Sequence, residues 1–514
     1  MQLYYYRVLH NELTRENLQE KIMRKIIEPQ MKIGEKAIAN IKFDHRSRDE
    51  ITKLLRGLQA IYCNRKVRKQ VFDVLIEIVP SDIDPNNGRN GMDLWKIFVL
   101  GVLRLNCNWD YDKLHEIANN HIRLRQMLGH GKMDDDYEYA LQTIRDNVAL
   151  FTPEVLDKIN QIVVKYGHEV ASKKKEETLT GSCDSFVTKT DVHYPTDINL
   201  LFDAIRKMIT LVMGICGYMD SSDWRQGMHH IRKAKKLYRR AQQLKRSSSK
   251  DKGKKTQREQ LIIDAHNEYI NVAQSYVDRV RETLLSIQTT NIILRLRIEH
   301  INTFIGHAER QIDQIRRRVV MGETIPHHEK VFSLFEEHTE WISKGKAGVP
   351  VELGLKVCIV KDHYNFILHH HVMQNETDDK IAVPIIKETQ SRFPDFSACS
   401  FDKGFHSPDN QKELAILLDK VVLPRKGRLS AINKEIENSE EFKAAKRKHS
   451  AVESSISALN NHGLDQCPDH AIHGFQRYVA LAVVARNIQI IGHMLQEKEV
   501  KSLQRQKRKK QKVA

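Results

Sequence analysis

The sequence contains few cysteines and no cysteine pairs. Its seven cysteines are scattered over 514 residues, none forms a CxxC pair, and their number is odd. A zinc ribbon needs paired cysteine ligands, and a disulfide scaffold needs a dense and even set of cysteines. The sequence therefore argues against both and fits a protein of a reducing compartment.

The sequence also lacks a long apolar run. Its most apolar stretch, residues 94–105, is interrupted by Lys96 and Arg104 and is too short to span a bilayer. The first residues, MQLYYYRVLHNELTREN, contain neither the apolar core nor the cleavage site of a signal peptide. We therefore expect no membrane attachment and a cytoplasmic location.

Acidic residues are too few to balance the basic ones. The chain has 83 Lys and Arg against 66 Asp and Glu, which gives a formal net charge of +17 and a pI near 9.3. A strongly basic intracellular chain is typical of proteins that bind a polyanion, most often nucleic acid. The length predicts two to four domains, and 40% hydrophobic residues suffice for a large core.

Helical periodicity fills most of the chain and is interrupted by short β-type segments. Residues 1–45 are poorly patterned, residues 46–170 predict an all-α domain, and residues 176–500 predict a mixed domain. Within the mixed domain, residues from about 198 to 345 revert to long amphipathic helices. The basic tail, residues 501–514, is expected to be disordered.

The order of elements in the mixed domain predicts its fold. The order β-β-β-α-β-α, with acidic residues at strand ends, indicates an RNase H-like layer of helices on a mixed sheet. The fold class is therefore α+β or α/β, with a large helical insertion after the first strand and an all-α domain before it. Such an insertion is tolerated because the entropic cost of closing a loop grows slowly with its length.

The all-α domain is expected to bind the ends of a DNA element. Residues 109–128 predict two short helices with a tight connection, which is the pattern of a helix–turn–helix. Ordinary helical packing gives a similar pattern, so both interpretations stay open.

Three distant acidic residues are the candidates for catalysis. Asp184 lies within the first predicted strand, Asp402 terminates the fourth, and Glu453 lies on a late helix. A lone Asp at a strand end is more often a turn or cap residue, so the prediction depends on the three together. Asp378 and Asp379, which follow another strand, are expected to cap the next helix.

Carboxylates suit the chemistry of phosphodiester cleavage. Two Mg²⁺ ions about 3.5–4 Å apart can activate the nucleophile and stabilise the leaving oxygen. Mg²⁺ prefers a few carboxylate oxygens, with substrate phosphate and water completing its shell. We expect Asp184 to bridge both ions, Asp402 to hold one and Glu453 the other, with Mn²⁺ able to substitute.

Basic residues in three places are candidates for contact with DNA phosphates, each of which would steepen the salt dependence of binding. Lys446 and His449 share a helical face with Glu453, and Arg425 and Lys426 follow a short strand. The third place is the helical insertion and its basic tip, where solvated, flexible chain is the alternative. Its candidates are Arg239, Arg240, Lys245, Arg246, Lys254 and Lys255.

Several segments together resemble one family. DSFVTKTDVHYPTDINLLFDAIR, SFDKGFHSPDNQKEL and RKHSAVESSISALNNHGLDQC resemble bacterial insertion-sequence DDE transposases of the ISNCY type, and the resemblance covers residues from about 45 to 495. It implies an enzyme that binds terminal inverted repeats and performs metal-dependent cleavage and strand transfer, as a homodimer on DNA. The catalytic triad that it implies is Asp184, Asp402 and Glu453.

The chain departs from the wider transposase pattern around the predicted catalytic glutamate. Where many relatives have Tyr, Arg, Glu and Lys, this chain has Lys446, His449, Glu453 and Asn460. The Arg contact of the family therefore cannot be carried over.

Some alternatives remain open. Asp191 and Asp197 are rivals for the first acidic position, although the strand position and the resemblance favour Asp184; His193, Tyr194 and Asp197 are expected at the rim of the site. For the function, the alternatives are a DNA-binding protein without catalysis and a nuclease that does not join strands.

Overall fold

The computed structural model describes residues 22–23, 25–27, 34–79, 89–131, 136–244, 250–343 and 351–513. Contacts between Cα atoms divide the chain into two compact units. The helical unit comprises Val192–Trp341, and the sheet unit comprises Leu13–Asp191 and Ile342–Ala514, each within the described ranges. Lys245 and Arg246, two of the predicted DNA contacts, lie outside the described residues.

The sheet unit begins with helices whose starts carry polar caps. The Asp49 side chain accepts a hydrogen bond from the Ile51 amide, and the Thr152 hydroxyl accepts one from the Val155 amide. Such caps satisfy amides that have no partner within the helix. The helices are α1 (Glu50–Cys63), α2 (Arg65–Leu75), α3 (Leu94–Asn106), α4 (Tyr111–Asn120), α5 (Ile122–Met127), α6 (Leu141–Val148) and α7 (Pro153–Ala171).

A mixed sheet follows these helices. A separate short parallel pair is formed by β1 (Ile22–Met23) and β2 (Arg89–Asn90). The strands of the main sheet are β3 (Leu179–Thr190), β4 (Glu340–Ser343), β5 (Val351–Asp362), β6 (Ile367–Val372), β7 (Phe396–Phe401), β8 (Lys420–Val422) and β9 (Gln466–Cys467). The strand order is β4-β5-β3-β7-β8, with β6 paired to β5 and β9 paired to β3. Strand β3 is antiparallel to β5 and parallel to β7, so it occupies the centre.

Further helices are interleaved with the later strands and complete the sheet unit. They are α12 (Asp378–Arg392), α13 (Pro408–Leu417), α14 (Ala431–Asn438), α15 (Glu440–His449), α16 (Ala451–Leu459) and α17 (Ala471–Val513). Together with the mixed sheet they confirm the predicted class, a mostly helical protein that contains both helices and a mixed sheet.

Helix α17 forms the centre of the core and packs against α1, α3 and α7. Its crossing with α1 is close because glycine stands on both helices. A Cβ atom on Gly57 would collide with the Ile488 carbonyl, and one on Gly492 would collide with the Lys53 carbonyl. The apolar side chains of α17, from Phe475 to Ile491, are almost fully buried.

Helix α17 also bears on the expected absence of a membrane span. In the described part of the chain it contains the one segment, Ala471–Gln506, that is long and apolar enough to cross a bilayer by length and composition. The protein itself buries 78% of the apolar window of this segment. Burial of this kind is expected of a core helix.

The helical unit contains α8 (Asp197–Tyr218), α9 (Gly227–Gln243), α10 (Lys252–Ser286) and α11 (Ile292–Ile315). The rings of Phe202 and Tyr238 stack at 5.4 Å, and the Trp224 indole donates a hydrogen bond of 2.9 Å to Thr283. These contacts join α8 to α9 and the start of α9 to the end of α10. The unit has its own hydrophobic cluster and occupies the region where the sequence predicts a helical insertion.

Two features of the sheet unit differ from the expectations. The N-terminal helices share one hydrophobic cluster with the sheet instead of forming a core of their own, because α17 packs against them. In addition, α17 continues through residues 501–513, where a disordered tail was expected. Lys, Arg and Gln are good helix formers, and extending an existing helix costs far less than starting one.

Candidate active site

The two predicted catalytic aspartates lie next to each other at neighbouring parallel strands. In the register of β3 and β7, Cys183 pairs with Phe401. Asp184 and Asp402 are the next residues of the two strands, and β7 ends there while β3 continues. Partners in a parallel pair project to the same face of the sheet. The register therefore brings Asp184 and Asp402 to one place, which is the end of β7.

Glu453 lies on a helix that is fixed to the same strands. It stands in the first turn of α16, which packs against β3, and the preceding helix α15 packs against β7. The Lys361 ammonium on β5 donates a hydrogen bond of 3.0 Å to the carbonyl of Ala451, the first residue of α16. His449 Nδ1, at the end of α15, is hydrogen-bonded to Ser400 Oγ on β7 at 3.0 Å. Both ends of the α15–α16 junction are thus fixed to the sheet.

The pKa of Asp184 responds to the other two carboxylates. Burial is the largest of the effects that together raise the pKa of Asp184 to about 7. Negative charge from Asp402, Asp378 and Glu453 acts in the same direction. The hydrogen bond of 2.8 Å from the Ser185 amide acts against it. Asp184 is half-buried, whereas Asp402 and Glu453 are exposed, so the group is open to an incoming substrate.

His449 experiences the same two exposed carboxylates. Burial lowers the pKa of its imidazole, and the charges of Asp402 and Glu453 oppose that change. A histidine between a strand serine and two carboxylates can orient them or contact a phosphate. The sequence predicted that His449 and Glu453 share the face of one helix, whereas the structure divides this stretch into α15, which ends at His449, and α16, which begins at Ala451.

The donor set suits a hard divalent cation in its chemistry, because it consists of carboxylate oxygens. Within the ranges that the structure describes, however, no group of three or more His, Cys, Asp or Glu residues is arranged to hold a metal ion. A Mg²⁺ ion does not need such a cage, since it is commonly held by one or two carboxylates together with substrate phosphate and water. Asp184 with Asp402, and Asp184 with Glu453, are the pairs that fit this requirement.

Asp378 is a fourth carboxylate, and its role was wrongly assigned from the sequence. The N-cap of α12 is Thr377, and Asp378 does not cap the helix. Its carboxylate instead accepts hydrogen bonds from Ser185 Oγ at 2.7 Å and from Lys356 Nζ at 2.9 Å. The hydroxyl and the ammonium belong to two strands that only the fold brings to α12, so the local sequence carries no signal for these contacts.

Among the basic candidates of the sheet unit, Lys426 contacts the loop that follows Asp402. Its ammonium donates a hydrogen bond of 2.7 Å to the carbonyl of Gly404, two residues after Asp402. The Arg425 amide donates to Glu437 at 3.0 Å, and both Arg425 and Lys426 help lower the pKa of His406, for which burial is the main cause. Lys446 is exposed on α15.

The basic candidates of the helical unit are exposed on two helices. Arg239 and Arg240 lie near the end of α9, and Lys254 and Lys255 lie in the first turn of α10. Arg240 forms an ion pair of 2.5 Å with Glu268, which compensates part of its charge within the unit.

The rival acidic residues make contacts of other kinds. Asp191 accepts a hydrogen bond of 2.7 Å from the Gln466 side chain. In the helical unit, Asp197 forms an ion pair of 2.9 Å with Arg318, and His193 contacts Asp203 at 2.6 Å. These contacts favour a structural role for Asp191 and Asp197.

Comparisons of the chain with protein-family models, with curated proteins and with solved structures gave no match. What the chain does is therefore inferred from its residues and their geometry.

Proposed function

We propose that this protein is a DDE transposase that cuts and joins DNA at the terminal inverted repeats of an insertion sequence. The observation that carries the proposal is the pairing of β3 with β7, which places Asp184 beside Asp402 while Glu453 stands on a helix fixed to the same strands. The strand order β6-β5-β3-β7-β8, antiparallel on one side of β3 and parallel on the other, supports an RNase H-like catalytic fold.

In this proposal the carboxylates of the site would bind metal ions, and a lysine would bind phosphate. Asp184 and Asp402 would hold one Mg²⁺ ion, and Asp184 and Glu453 a second, with Mn²⁺ as a substitute. When bound, such a pair supplies charge stabilisation to the attacking and leaving oxygens. Lys426, which donates to the carbonyl of Gly404, is placed to bind a phosphate that reaches Asp402.

DNA is the proposed partner, and the net charge of +17 supports it. The exposed arginine and lysine side chains of α9 and α10 would contact DNA phosphates. Such contacts do not depend on the base sequence of the DNA. A homodimer on DNA and a cytoplasmic location follow from the same proposal, because two element ends have to be brought together in the cell.

The proposal is tested by incubating the protein with supercoiled plasmid that carries candidate element ends, in Mg²⁺ or Mn²⁺. We expect nicked and joined products from the unchanged protein. Asp402→Ala should still bind the ends but lose cleavage by more than about 100-fold, because changes outside the metal ligands alone typically cost about 10- to 100-fold. Asp419→Asn changes an exposed aspartate just before β8, at the other end of the β7–β8 pair from Asp402; it is the control and should cleave normally. Cleavage retained in Asp402→Ala would contradict the assignment.

The same assay separates the two other functions. A nuclease would give nicked but never joined products, and a DNA-binding protein without catalysis would shift the ends in a gel and leave them intact. The approach of Asp402 and Glu453 to a half-buried Asp184 favours catalysis, because a protein that only binds DNA gains nothing from carboxylates that repel phosphate.

A further inference from the structure

We propose that Asp378 is a positioning residue, which holds Asp184 and the loop after Asp402 in a fixed relation. This inference rests on the proposed function, since it assigns a role within that same site. The contacts of Asp378 involve three parts of the sheet unit, namely β3, β5 and the loop after Asp402.

Each oxygen of the Asp378 carboxylate has its own donor. Oδ1 accepts from Ser185 Oγ at 2.7 Å, and Oδ2 accepts from Lys356 Nζ at 2.9 Å. The Asp378 and Lys356 side chains are 18% and 28% exposed, so the ion pair is largely shielded from water. Two bonds of this kind, one of them between opposite charges, leave the carboxylate little freedom to rotate.

The donors stand on the two central strands. Ser185 is the residue after Asp184 on β3, and Lys356 lies on β5, where it pairs with Val187. Asp378 therefore bridges β3 and β5 from the start of α12, and its contact on β3 is the residue that follows Asp184. The Ser185 amide also donates to Asp184 Oδ1 at 2.8 Å, so a shift of Ser185 would move the Asp184 carboxylate with it.

The loop after Asp402 packs against the same carboxylate. A Cβ atom on Gly404 would lie 3.1 Å from Asp378 Oδ2, which is tighter than most real contacts of a Cβ atom. Gly404 thus permits an approach that a larger residue would hinder. Asp378 is in contact with Ser185 next to Asp184 and faces Gly404 two residues beyond Asp402.

Asp378 is better suited to positioning than to binding a cation itself. Its charge is already matched by the Lys356 ammonium, and its oxygens are engaged by Ser185 and Lys356. A ligand of Mg²⁺ would have to give up these bonds. The alternative is a purely structural ion pair, whose loss changes stability and nothing else.

Binding of Mn²⁺ to the full-length protein, measured by calorimetry, distinguishes the two roles. We expect Asp378→Asn to weaken the affinity by about 10- to 100-fold, the usual effect of changing an outer-shell partner. Ser185→Ala removes one hydrogen bond, keeps the ion pair, and should weaken the affinity by a smaller factor. Asp379→Asn, a change of the next residue in the same helical turn, is the matched control and should bind Mn²⁺ as the unchanged protein does.

A second readout separates positioning from direct ligation. In the plasmid assay, raising the Mn²⁺ concentration should restore the cleavage rate of Asp378→Asn but not that of Asp402→Ala. If Asp378→Asn and Ser185→Ala bind Mn²⁺ normally while the unchanged protein binds and cleaves, the positioning role is wrong and the proposed function stands. If the unchanged protein neither binds Mn²⁺ nor cleaves DNA, the proposed function itself has failed.

Discussion

The sheet unit buries two aspartates in opposite electrostatic settings. Asp469 lies between the guanidinium groups of Arg104 and Arg477, at 2.8 and 2.9 Å; Asp469 and Arg104 are nearly inaccessible to solvent, and the Arg477 side chain is 14% exposed. Although burial acts to raise the pKa of Asp469, the two arginines bring it below the usual value. Asp184 is half-buried among carboxylates, and its pKa is raised. At Asp469 two arginines compensate the negative charge, whereas at Asp184 further carboxylates add to it.

The difference indicates a structural role for Asp469 and supports the catalytic role proposed for Asp184. Arg104 also lies 4.0 Å from the centre of the Tyr111 ring, so the Asp469 group joins α3 and α4 to the residues just before α17. A fold has no reason to gather unpaired carboxylates, because each one costs free energy when ionised. Such a cost is typical of sites that wait for a cation or a proton, and perturbed carboxyl groups are enriched at functional sites.

Removing the compensated charge should have the largest effect on stability. We expect Asp469→Ala to lower the free energy of unfolding by about 3–5 kcal/mol, because it removes the carboxylate that compensates the charges of two largely buried arginines. Urea denaturation followed by circular dichroism measures the change. Asp465→Ala is the control, since its ion pair with Lys189 is 62% exposed on the acidic side and should contribute less than about 1 kcal/mol. If both variants lost the same free energy of unfolding, Asp469 would contribute no more to stability than an exposed ion pair does.

Removing the charge of Asp184 should raise the stability of the cation-free protein instead of lowering it. Asp184→Asn is expected to stabilise the cation-free protein by about 1–3 kcal/mol at pH 8, since each unit of pKa shift corresponds to about 1.4 kcal/mol and part of the shift is relieved by solvent. With Mn²⁺ present, the unchanged protein should become more stable than Asp184→Asn, because a ligand stabilises only the protein that binds it. Thermal melts with EDTA and with Mn²⁺ provide the measurement, and a destabilised Asp184→Asn protein in EDTA would refute the expectation.

The smallest effect that we expect, per unit of pH, is the pH dependence of stability that comes from Asp184. The folded pKa of Asp184, about 7, exceeds the ordinary value of 3.8. Between these values the folded protein keeps a proton that the unfolded chain releases, so stability falls as pH rises; the total is the same loss of about 1–3 kcal/mol, spread over about three pH units, or about 1 kcal/mol or less per unit. Relative to Asp184→Asn, the unchanged protein should lose stability from pH 4 to 7 and stay level above about pH 8. Urea midpoints of both proteins across this range in EDTA test the slope, and parallel curves would contradict the raised pKa.

The sequence pattern predicted the mixed class of the fold and the position of Asp402 at the end of β7, because strand periodicity reveals where a strand ends. The pairing of β3 with β7, which brings Asp402 to Asp184, is a long-range feature that periodicity does not encode. The catalytic roles of Asp184, Asp402 and Glu453 remain predictions. Asp378 was misassigned because its partners, Ser185 and Lys356, are set by strand register and by the direction of α12, neither of which local spacing encodes.

Long-range packing explains the other differences. Residues 46–170 have the periodicity of an independent helical domain, but the helix that completes their core is α17, more than 300 residues later. Periodicity shows which face of a helix is apolar and not which partner covers it. The helical state of residues 501–513 likewise follows from the buried first half of α17, and their charge alone suggested disorder.

The position of α17 has a consequence for biosynthesis. Helices α1, α3 and α7 leave the ribosome well before α17, the helix against which they pack. Nascent and truncated chains therefore expose the apolar faces of these helices, which is the condition in which chaperones and proteases act. A chain that ends before α17 therefore cannot complete the hydrophobic core of the sheet unit.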